Sequence, residues 1–435
     1  MTVPFHNLRQ LLSLHSKVAP ARECLILLEA GQRLVLPYAE VNARAHQAAN
    51  LLHTDLAVRM GDTVLILDDH PADLAVLLMA CWLIGAAVIP LDPAAAHPAH
   101  LASLKHQSVT HVLVRSRHLP TLQPDLRQHW DDDHIIQLGG TAAQFAHPYP
   151  HFDTLVRSLP NTFFSDDPDP IPQTPALIFP FTRAQHTQGD LLAAAQSLAN
   201  AQTITASHNL CSALNLASSG DEDDDTTAAG LHFWLAALYA GASLTLIADF
   251  QPPTFWHTVA AHRQHIALLT PAHIDSLITF AQTAHQSGQP IYGSGIYQQD
   301  IKGLRHILSP AHQLTSQHIL AFTRIFPLPI LPGLSLALVA GFCAVLPVDL
   351  AWSEYQDWIT GHEKLVLGLP LDSLDIDIRD QFGQSLGLAA DGEIMLRVWP
   401  HHTWLPTGHL GRILYDRHGR RFLIHFRPQD ETQTT

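Results

Sequence analysis

The chain has 435 residues, 47% of them hydrophobic and 14% charged, so we expect two or three packed domains with a large buried core and not an extended disordered chain. Its 39 acidic and 24 basic residues give a net charge of -15 with histidine neutral. Because an acidic surface repels phosphate groups, nucleic acid and anionic membranes are excluded as expected partners.

The first part of the chain predicts helices that alternate with apolar strands. The predicted elements are a helix over Tyr38–Leu56, a strand over Gly61–Leu67, a helix over Pro71–Ile84, and strands over Gly85–Pro93 and His111–Ser116. This alternation indicates a parallel sheet covered on both faces. We assign residues 1–170 to this first α/β subdomain, since residues 145–175 are rich in Pro, Asp and Ser and predict a connector.

A second alternation of helices and strands occupies residues 171–350. It begins with the strand "ALIFPF" and the helix "DLLAAAQSLANA", and it continues through "LHFWLAALYAG", "ASLTLIADF", "IALLTP" and "LRHILSP". The uncharged stretch Ile325–Val348 is long enough to span a bilayer, but its prolines and glycines break a helix. We therefore interpret it as buried strands and loops and expect no membrane span.

The end of the chain changes character from about Leu365. The segments "DIDIRD", "GEIMLRV", "GRILYDRHG" and "RRFLIHF" are short, strand-like and joined by turns. They predict a small sheet or barrel, so residues 351–425 are assigned to a β-rich subdomain and residues 426–435 to a short remainder.

The cysteines indicate a reducing environment, and the histidines do not indicate a metal site. The four cysteines form no CxxC pair, and three of them lie in apolar runs, so we expect buried free thiols.

The start of the chain, "MTVPFHNLRQ", lacks the pattern of a signal peptide, and a cytoplasmic location is expected. The 31 histidines include "HTVAAHRQH" and "HPAH", but no cysteine or carboxylate cluster accompanies them, so no metal site is predicted.

Several of these segments occur in the order found in one family. "YAEVNARAHQAANLL", "GDTVLIL" and "GAAVIPLDP" resemble the opening of the acyl-adenylate-forming superfamily, which includes acyl-CoA synthetases, luciferases and peptide-synthetase adenylation domains. "GASLTLIADFQP", "IALLTPAHIDSLI" and "WLPTGHLGRILYDRHGRRFLIHFRPQD" resemble its later core segments. The resemblance covers about residues 8–430 and implies the fold of that family's N-terminal domain, with two α/β sheet subdomains plus a small distorted β-barrel.

The resemblance places a phosphate-binding loop after the strand "ALIFPF". In the family this loop is rich in Ser, Thr and Gly and ends in Pro-Lys-Gly, so that backbone amides wrap a triphosphate and the lysine supplies charge. Here the sequence "TRAQHTQGDLL" is shorter, has no glycine pair and no lysine, and Arg183 is its cation. Thr182 and Arg183 are the candidate phosphate contacts, but we prefer to interpret the segment as a strand-to-helix turn.

The resemblance also locates the family's metal-binding motif, Tyr-Gly-x-Thr-Glu, whose glutamate holds Mg²⁺ bridged to ATP. The matching residues are "PGLSL", in which Gly333 and Ser335 fit and Leu336 stands at the metal position. Leucine cannot bind a hard cation, so no metal is expected here.

A residual ligand cleft is expected next to this motif. Ser309, Pro310 and Ala311 occupy the place of a Gly-Gly-Ala run that lines the adenine and acyl pockets of the family. Because these residues and Pro332 are small or uncharged, we expect them to bound a cleft for an acyl or aryl group.

The segment "WLPTGHLGR" matches a Thr-Gly-Asp turn of the family, whose aspartate accepts hydrogen bonds from both ribose hydroxyls. Here the third residue is His409, and a neutral imidazole has one acceptor nitrogen. His409 is therefore a poor ribose clamp, and we expect it to cap the turn or to bind another ligand.

Two further departures concern the catalytic lysine and the surroundings of the triphosphate. "FRPQD" keeps Arg427 and Asp430 of the family's hinge, which normally precedes a C-terminal domain of about a hundred residues that carries the lysine. The chain ends at Thr435, so this domain is expected to be absent. The five acidic residues Asp221–Asp225 would repel ATP and are expected to form a solvated loop.

These departures predict a catalytically silent relative of acyl-adenylate ligases, with no catalytic residue and no bound cofactor. It would be an acyl- or aryl-binding or scaffold protein in a lipid, polyketide or peptide pathway, with a carboxylic acid as ligand and a carrier protein or pathway enzyme as partner. The alternative is an active ligase that uses ATP and Mg²⁺ through atypical contacts, or with a partner's lysine, and passes the acid to CoA or a carrier protein. A pure interaction protein with a filled pocket is a third alternative that the sequence leaves open.

Overall fold

The computed structural model of the chain describes residues 5–29, 31–105, 107–140, 149–220, 224–362, 364–399 and 403–426. The chain divides into two compact units. Residues 2–193 and 215–231 form what we call the N-terminal unit, and residues 194–214 and 232–435 form the C-terminal unit. No helix in the described part of the chain combines the length and the apolar character needed to cross a membrane.

The N-terminal unit contains a six-stranded sheet in the order β6-β5-β3-β4-β7-β8, and its strands β1 and β2 pair with each other antiparallel. Its elements are α1 (Leu8–Val18), β1 (Glu23–Glu29), β2 (Gln32–Pro37), α2 (Tyr38–Asn50), a π-helical turn (Leu51–Asp55), β3 (Thr63–Leu67), α3 (Pro71–Ile84), β4 (Ala87–Leu91), α4 (Pro98–Lys105), β5 (Val109–Arg115), α5 (Leu119–Leu126), β6 (Ile135–Leu138), α6 (Phe152–Val156), β7 (Pro175–Ile178) and β8 (Gln185–Thr187). Strands β3 to β7 pair in parallel, and β8 runs antiparallel to β7. The predicted alternation of helices with parallel strands is confirmed.

Helix α3 shows how the sequence sets the bounds of an element in this unit. Pro71 stands in its first turn, where a missing N–H costs nothing, and His70 accepts a hydrogen bond from the backbone N–H of Asp73 at 3.2 Å. Gly85 ends the helix in the left-handed conformation, with φ of 89°. The helix is predominantly buried, and its Trp82 indole N–H donates to the carbonyl of Ala176 at 2.7 Å, which ties α3 to β7.

The C-terminal unit contains eleven strands in the order β16-β17-β18-β19-β15-β14-β13-β12-β11-β9-β10. Helices α7 (Gln188–Ala201) and α8 (Asp224–Ala240) cross the division between the units. The other elements are β9 (Asn209–Ser212), β10 (Ser243–Ile247), α9 (Pro252–Ala261), β11 (Ile266–Leu268), α10 (Pro271–Gln286), β12 (His306–Pro310), α11 (Ser316–Ile325), β13 (Ile330–Leu336), β14 (Gly341–Val345), α12 (Trp352–Thr360), β15 (Leu365–Pro370), β16 (Leu374–Arg379), β17 (Gly392–Val398), β18 (Leu405–Tyr415) and β19 (Arg421–Phe426). Short 3₁₀ turns cover Pro93–Ala95, Asp132–His134 and Ala337–Val339.

Strand direction separates two parts of this unit. Strands β9 to β13 pair in parallel, whereas β14 to β19 pair antiparallel, so the predicted β-rich end is confirmed as an antiparallel ladder. The uncharged stretch forms β13 and β14, both fully buried, as the sequence predicts. All four cysteines are buried free thiols, which confirms that expectation as well.

Candidate functional site

The segment that resembles a phosphate loop is a tight connection between β7 and β8 in the N-terminal unit. The backbone N–H of Arg183 donates to the carbonyl of Phe179 at 3.0 Å, and Phe179 N–H donates to the carbonyl of Ala184 at 2.9 Å. Arg183 takes the left-handed conformation, with φ of 59°. The prediction of a strand-to-helix turn is wrong here, because the chain first returns along β7 as strand β8 before α7 begins at Gln188.

A buried carboxylate takes the hydrogen bonds that this loop offers. Asp224 Oδ2 accepts from the backbone N–H groups of Phe181 and Thr182, at 3.0 and 2.7 Å, and from Thr182 Oγ1 at 2.9 Å. Its Oδ1 accepts from Ser218 Oγ at 2.7 Å, and the residue has no solvent exposure. Backbone amides of such loops are the donors that bind phosphate oxygens, and here a carboxylate of the same chain occupies them.

The predicted solvated loop is therefore wrong for the part of the acidic run that the structure describes. Asp224 and Asp225 form the first turn of α8, where the helix dipole favours negative charge. Asp221–Asp223 lie outside the described residues. The overlooked signal was local: an acidic residue directly before the apolar run "TTAAGLHFWLAAL" is typical of a helix start.

The side chains of the β7–β8 loop are also engaged by the protein. The Arg183 guanidinium donates to Ser103 Oγ at 2.7 Å, and Ser103 belongs to α4. The Phe181 ring stacks on His100 of the same helix, with ring centroids 4.2 Å apart and 27° between the planes. Both predicted phosphate contacts, Thr182 and Arg183, thus bind partners within the N-terminal unit.

In the C-terminal unit the predicted cleft residues lie on two neighbouring strands. Ser309 pairs with Pro332 and Pro310 with Gly333 in the parallel β12–β13 register, and Ala311 N–H donates to the carbonyl of Gly333 at 2.8 Å. All five residues are buried. The structure places these segments side by side, while a ligand cleft beside them stays a prediction.

Gly333 has a packing reason to be glycine. A Cβ atom at this position would lie 2.7 Å from the Phe342 ring and 2.9 Å from Val345 Cγ1, which is closer than real side chains approach. The space on this side of β13 is thus filled by side chains of β14.

The residues at the metal and triphosphate positions do not fit ATP with Mg²⁺. Leu336 is a buried aliphatic side chain with no oxygen ligand, and Ser335 is buried beside it. Within the described ranges no group of three or more His, Cys, Asp or Glu side chains is placed to hold a metal ion. In the N-terminal unit, the loop amides of Phe181 and Thr182 already bind Asp224.

His409, which the resemblance places in a turn, lies within strand β18. The β17–β18 register passes from Glu393 opposite Leu410 to Met395 opposite Pro406, so residues 407–409 form a bulge. His409 Nδ1 lies 2.9 Å from His425 Nε2 on β19, a hydrogen bond in which one ring donates and the other accepts. The imidazole therefore has a partner within the C-terminal unit, which accounts for a histidine here without a ribose. Arg427 falls outside the described residues.

Comparison with known proteins agrees with this geometry. Residues 15–398 match the model of a family described as AMP-binding enzyme, whereas no curated protein sequence matches the chain. A long-chain-fatty-acid-CoA ligase (FadD1) from Archaeoglobus fulgidus has a similar structure, with a TM-score of 0.79 and 14% identity over 98% of this chain and 85% of that one. For a benzoate CoA ligase from Burkholderia xenovorans LB400 the TM-score is 0.76, with 15% identity over 99% of this chain and 82% of that one.

A shorter relative matches over its full length. The N-terminal domain of FACL13 from Mycobacterium tuberculosis has a TM-score of 0.75 and 16% identity, over 97% of this chain and 100% of that one. At such identities the likeness shows a common fold, a mixed α/β structure with two sheets as in the N-terminal domains of acyl-CoA ligases.

Proposed function

Since the chain belongs to the AMP-binding enzyme family, we propose that it is a catalytically silent member that keeps the fold as an acyl- or aryl-binding or scaffold protein. One observation carries the proposal: the carboxylate of Asp224 occupies the loop donors of Phe181 and Thr182. The proposal includes a carboxylic acid held near Ser309–Ala311 and Pro332, a carrier protein or pathway enzyme as partner, and a cytoplasmic location.

Displacement of the Asp224 carboxylate from the loop donors by a nucleotide phosphate is energetically unfavourable. The carboxylate accepts hydrogen bonds from Phe181, Thr182 and Ser218, and such charge-assisted bonds contribute about 1.5–3 kcal/mol each. An incoming phosphate would break these bonds and leave a buried anion beside a second anion, with no lysine in the loop to offset the repulsion.

We expect the protein to bind ATP·Mg²⁺ no more tightly than a dissociation constant of about 100 μM, which corresponds to about -5.5 kcal/mol. The reasons are the occupied loop amides and the aliphatic Leu336 at the metal position. Titration calorimetry on the full chain is the measurement. Saturable binding well below that constant would contradict both the site assignment and the silent function.

A second candidate is supported by the similar structures, which are named as CoA ligases. In this alternative the chain activates a fatty or aryl acid with ATP and passes it to CoA or a carrier protein. Carboxylate-dependent exchange of pyrophosphate into ATP, measured with a panel of fatty and aryl acids, separates the two. Robust exchange would establish the ligase and refute the silent function.

Mass spectrometry of any acid that copurifies with the chain distinguishes a binding protein from a pure interaction protein. An acyl or aryl acid that copurifies with the chain and is identified by mass spectrometry after denaturation would support the binding function. A chain that shows no exchange, carries no such acid and binds none of the panel would support the interaction protein instead.

We expect His409→Asp to leave the protein without adenylating activity. A carboxylate at this position would lie beside His425, and the donors of the β7–β8 loop remain bound to Asp224. Groups that act as a unit are non-additive, so repairing one member restores nothing by itself. Acyl-AMP detected by mass spectrometry in this variant, but not in the matched His409→Asn variant, would show that the rest of the site is functional.

A further inference from the structure

A cavity lies in the C-terminal unit, at the end of the sheet where the parallel strands β12 and β13 begin. Its volume is about 360 Å³, and its lining includes His306 at the start of β12 and Trp352 and Tyr355 of α12. The segments that resemble the family's acyl pocket lie toward the other ends of the same strands, at Ser309–Ala311 on β12 for example. The cavity is thus distinct from the candidate site described above.

Two aromatic rings form a fixed surface in this cavity. Trp352 stacks on Tyr355 with ring centroids 5.3 Å apart and 23° between the planes. The Tyr355 hydroxyl donates to the carbonyl of Ile330 at 2.8 Å and accepts from its N–H at 3.2 Å, which holds the ring against β13. Trp352 remains 43% exposed, so one large apolar surface of the pair is available to a ligand. Pro329 and Pro347 add rigid apolar rings to the lining.

Arg305 places a positive charge at the rim of the cavity. The lining contains no acidic side chain, and Arg305 forms no salt bridge with any residue that the structure describes. His306 beside it is neutral, because burial lowers its pKa to about 3. Arg305 is exposed at the rim of the cavity, where its guanidinium is free of a carboxylate partner among the described residues and can pair with an anion that enters from solvent.

We propose that this cavity binds a small aromatic monocarboxylate, with the carboxylate on Arg305 and the ring on the Trp352–Tyr355 surface. A guanidinium pairs with a carboxylate through two parallel hydrogen bonds. One cation matches one negative charge, whereas a phosphate dianion would need more positive charge than this lining offers. A volume of about 360 Å³ lies at the lower end of the range of small-molecule sites and suits one or two rings. This site does not depend on the proposed function of the chain.

Binding is tested with 2-naphthoate, titrated into the full chain and followed by calorimetry. We expect sub-millimolar affinity, at least about tenfold weaker binding in Arg305→Gln and in Trp352→Ala, and at least tenfold weaker binding of the uncharged 2-naphthamide. The matched control is Arg324→Gln on α11, an exposed arginine of the same unit outside the cavity lining, and it should bind as the unaltered chain does. Urea unfolding of each variant verifies that it is folded.

The position of the bound aromatic carboxylate is tested by photo-cross-linking with 4-benzoylbenzoate, followed by peptide mass spectrometry. We expect adducts in the segment 347–355, and we expect Leu350→Trp, which fills the cavity, to abolish them. Absence of binding, equal affinity in Arg305→Gln, or adducts confined to residues 309–311 and 332–336 would overturn the proposal. Pyrophosphate exchange does not enter this test, so its outcome is separate from that of the proposed function.

Discussion

Between pH 7.5 and pH 5 the free energy of unfolding should fall by about 4 kcal/mol through two histidines alone, His232 and His306. Burial lowers the pKa of His232 to about 4 and that of His306 to about 3, and both side chains are almost inaccessible to solvent. Since whole proteins have free energies of unfolding of about 5–15 kcal/mol, this loss is a large fraction of the total.

Burial keeps both imidazoles neutral, and for His232 one hydrogen bond also requires an unprotonated Nδ1. His232 Nε2 donates to the carbonyl of Ala194 at 2.6 Å, and its Nδ1 accepts from Phe342 N–H at 2.9 Å. A proton on Nδ1 would face that N–H and break the bond. His306 Nε2 bonds to Gln202 Oε1 at 2.8 Å in a fully buried environment. Protonation of either ring is thus opposed by the fold.

The direction of the effect follows from the lowered pKa values. In the unfolded chain each histidine takes up a proton near pH 6.5, whereas in the folded chain it does so only near pH 4 or pH 3. The unfolded state binds more protons in this interval, so the stability contributed is fully present above about pH 6.5 and is lost as the pH falls.

Urea unfolding followed by circular dichroism at several pH values between 7.5 and 5 measures this slope. In the double variant His232→Gln, His306→Gln the slope of the unfolding free energy against pH should be smaller by roughly 2–3 kcal/mol per pH unit, whatever the absolute stability of the variant. His285→Gln on α10, an exposed histidine, is the matched control and should keep the slope. An unchanged slope in the double variant would contradict the assignment of the acid sensitivity to these two residues.

Arg115→Gln should destabilise the protein by about 3–5 kcal/mol, because it removes one partner of a buried ion pair. Arg115 donates from Nε and Nη2 to both oxygens of Asp68, at 2.8 and 2.7 Å, and from Nη2 to Asp73 at 2.9 Å. Asp68 has no solvent exposure, so its carboxylate would be left buried without its cation. Although burial alone would raise it, the neighbouring His70 and Arg115 lower the pKa of Asp73 to about 2.

The neighbouring Arg117 provides the control for this prediction. Arg117 pairs with Asp69 at 2.5 Å, but its side chain is 59% exposed, so Arg117→Gln should cost less than about 1 kcal/mol. Adding Asp68→Asn to Arg115→Gln should restore part of the stability by removing the unpaired charge. Equal unfolding free energies for Arg115→Gln and Arg117→Gln would show that the buried pair contributes no more than a surface one.

The course of the backbone could be predicted from the sequence where apolar residues repeat at a regular spacing. Helix α3, with Pro71 at its start and Gly85 at its end, occupies the predicted range. The uncharged stretch Ile325–Val348 could be assigned to buried strands because its prolines exclude a long helix. Local pattern and local conformational preference decide these elements, and both can be read within a short window of sequence.

Polar contacts between distant residues could not be predicted in the same way. Asp224 meets Thr182 across 42 positions, and His409 meets His425 through the β18–β19 register. No periodicity marks such pairs, since each depends on where tertiary packing places two separate segments. The candidate site consists mostly of contacts of this kind, and for that reason the partners of Thr182 and His409 could not be predicted although the strands around them could.

The anion that the β7–β8 loop binds is the Asp224 carboxylate, which belongs to the same chain and is not a dissolved ligand. A dissolved ligand leaves its site on dilution, but a tethered one stays at a high effective concentration whatever the protein concentration. The amide hydrogens of Phe181 and Thr182, although they belong to a loop, are therefore shielded from exchange with solvent deuterium for as long as Asp224 remains in place. Where the loop closes faster than an open amide exchanges, their exchange rates give the free energy of opening the loop.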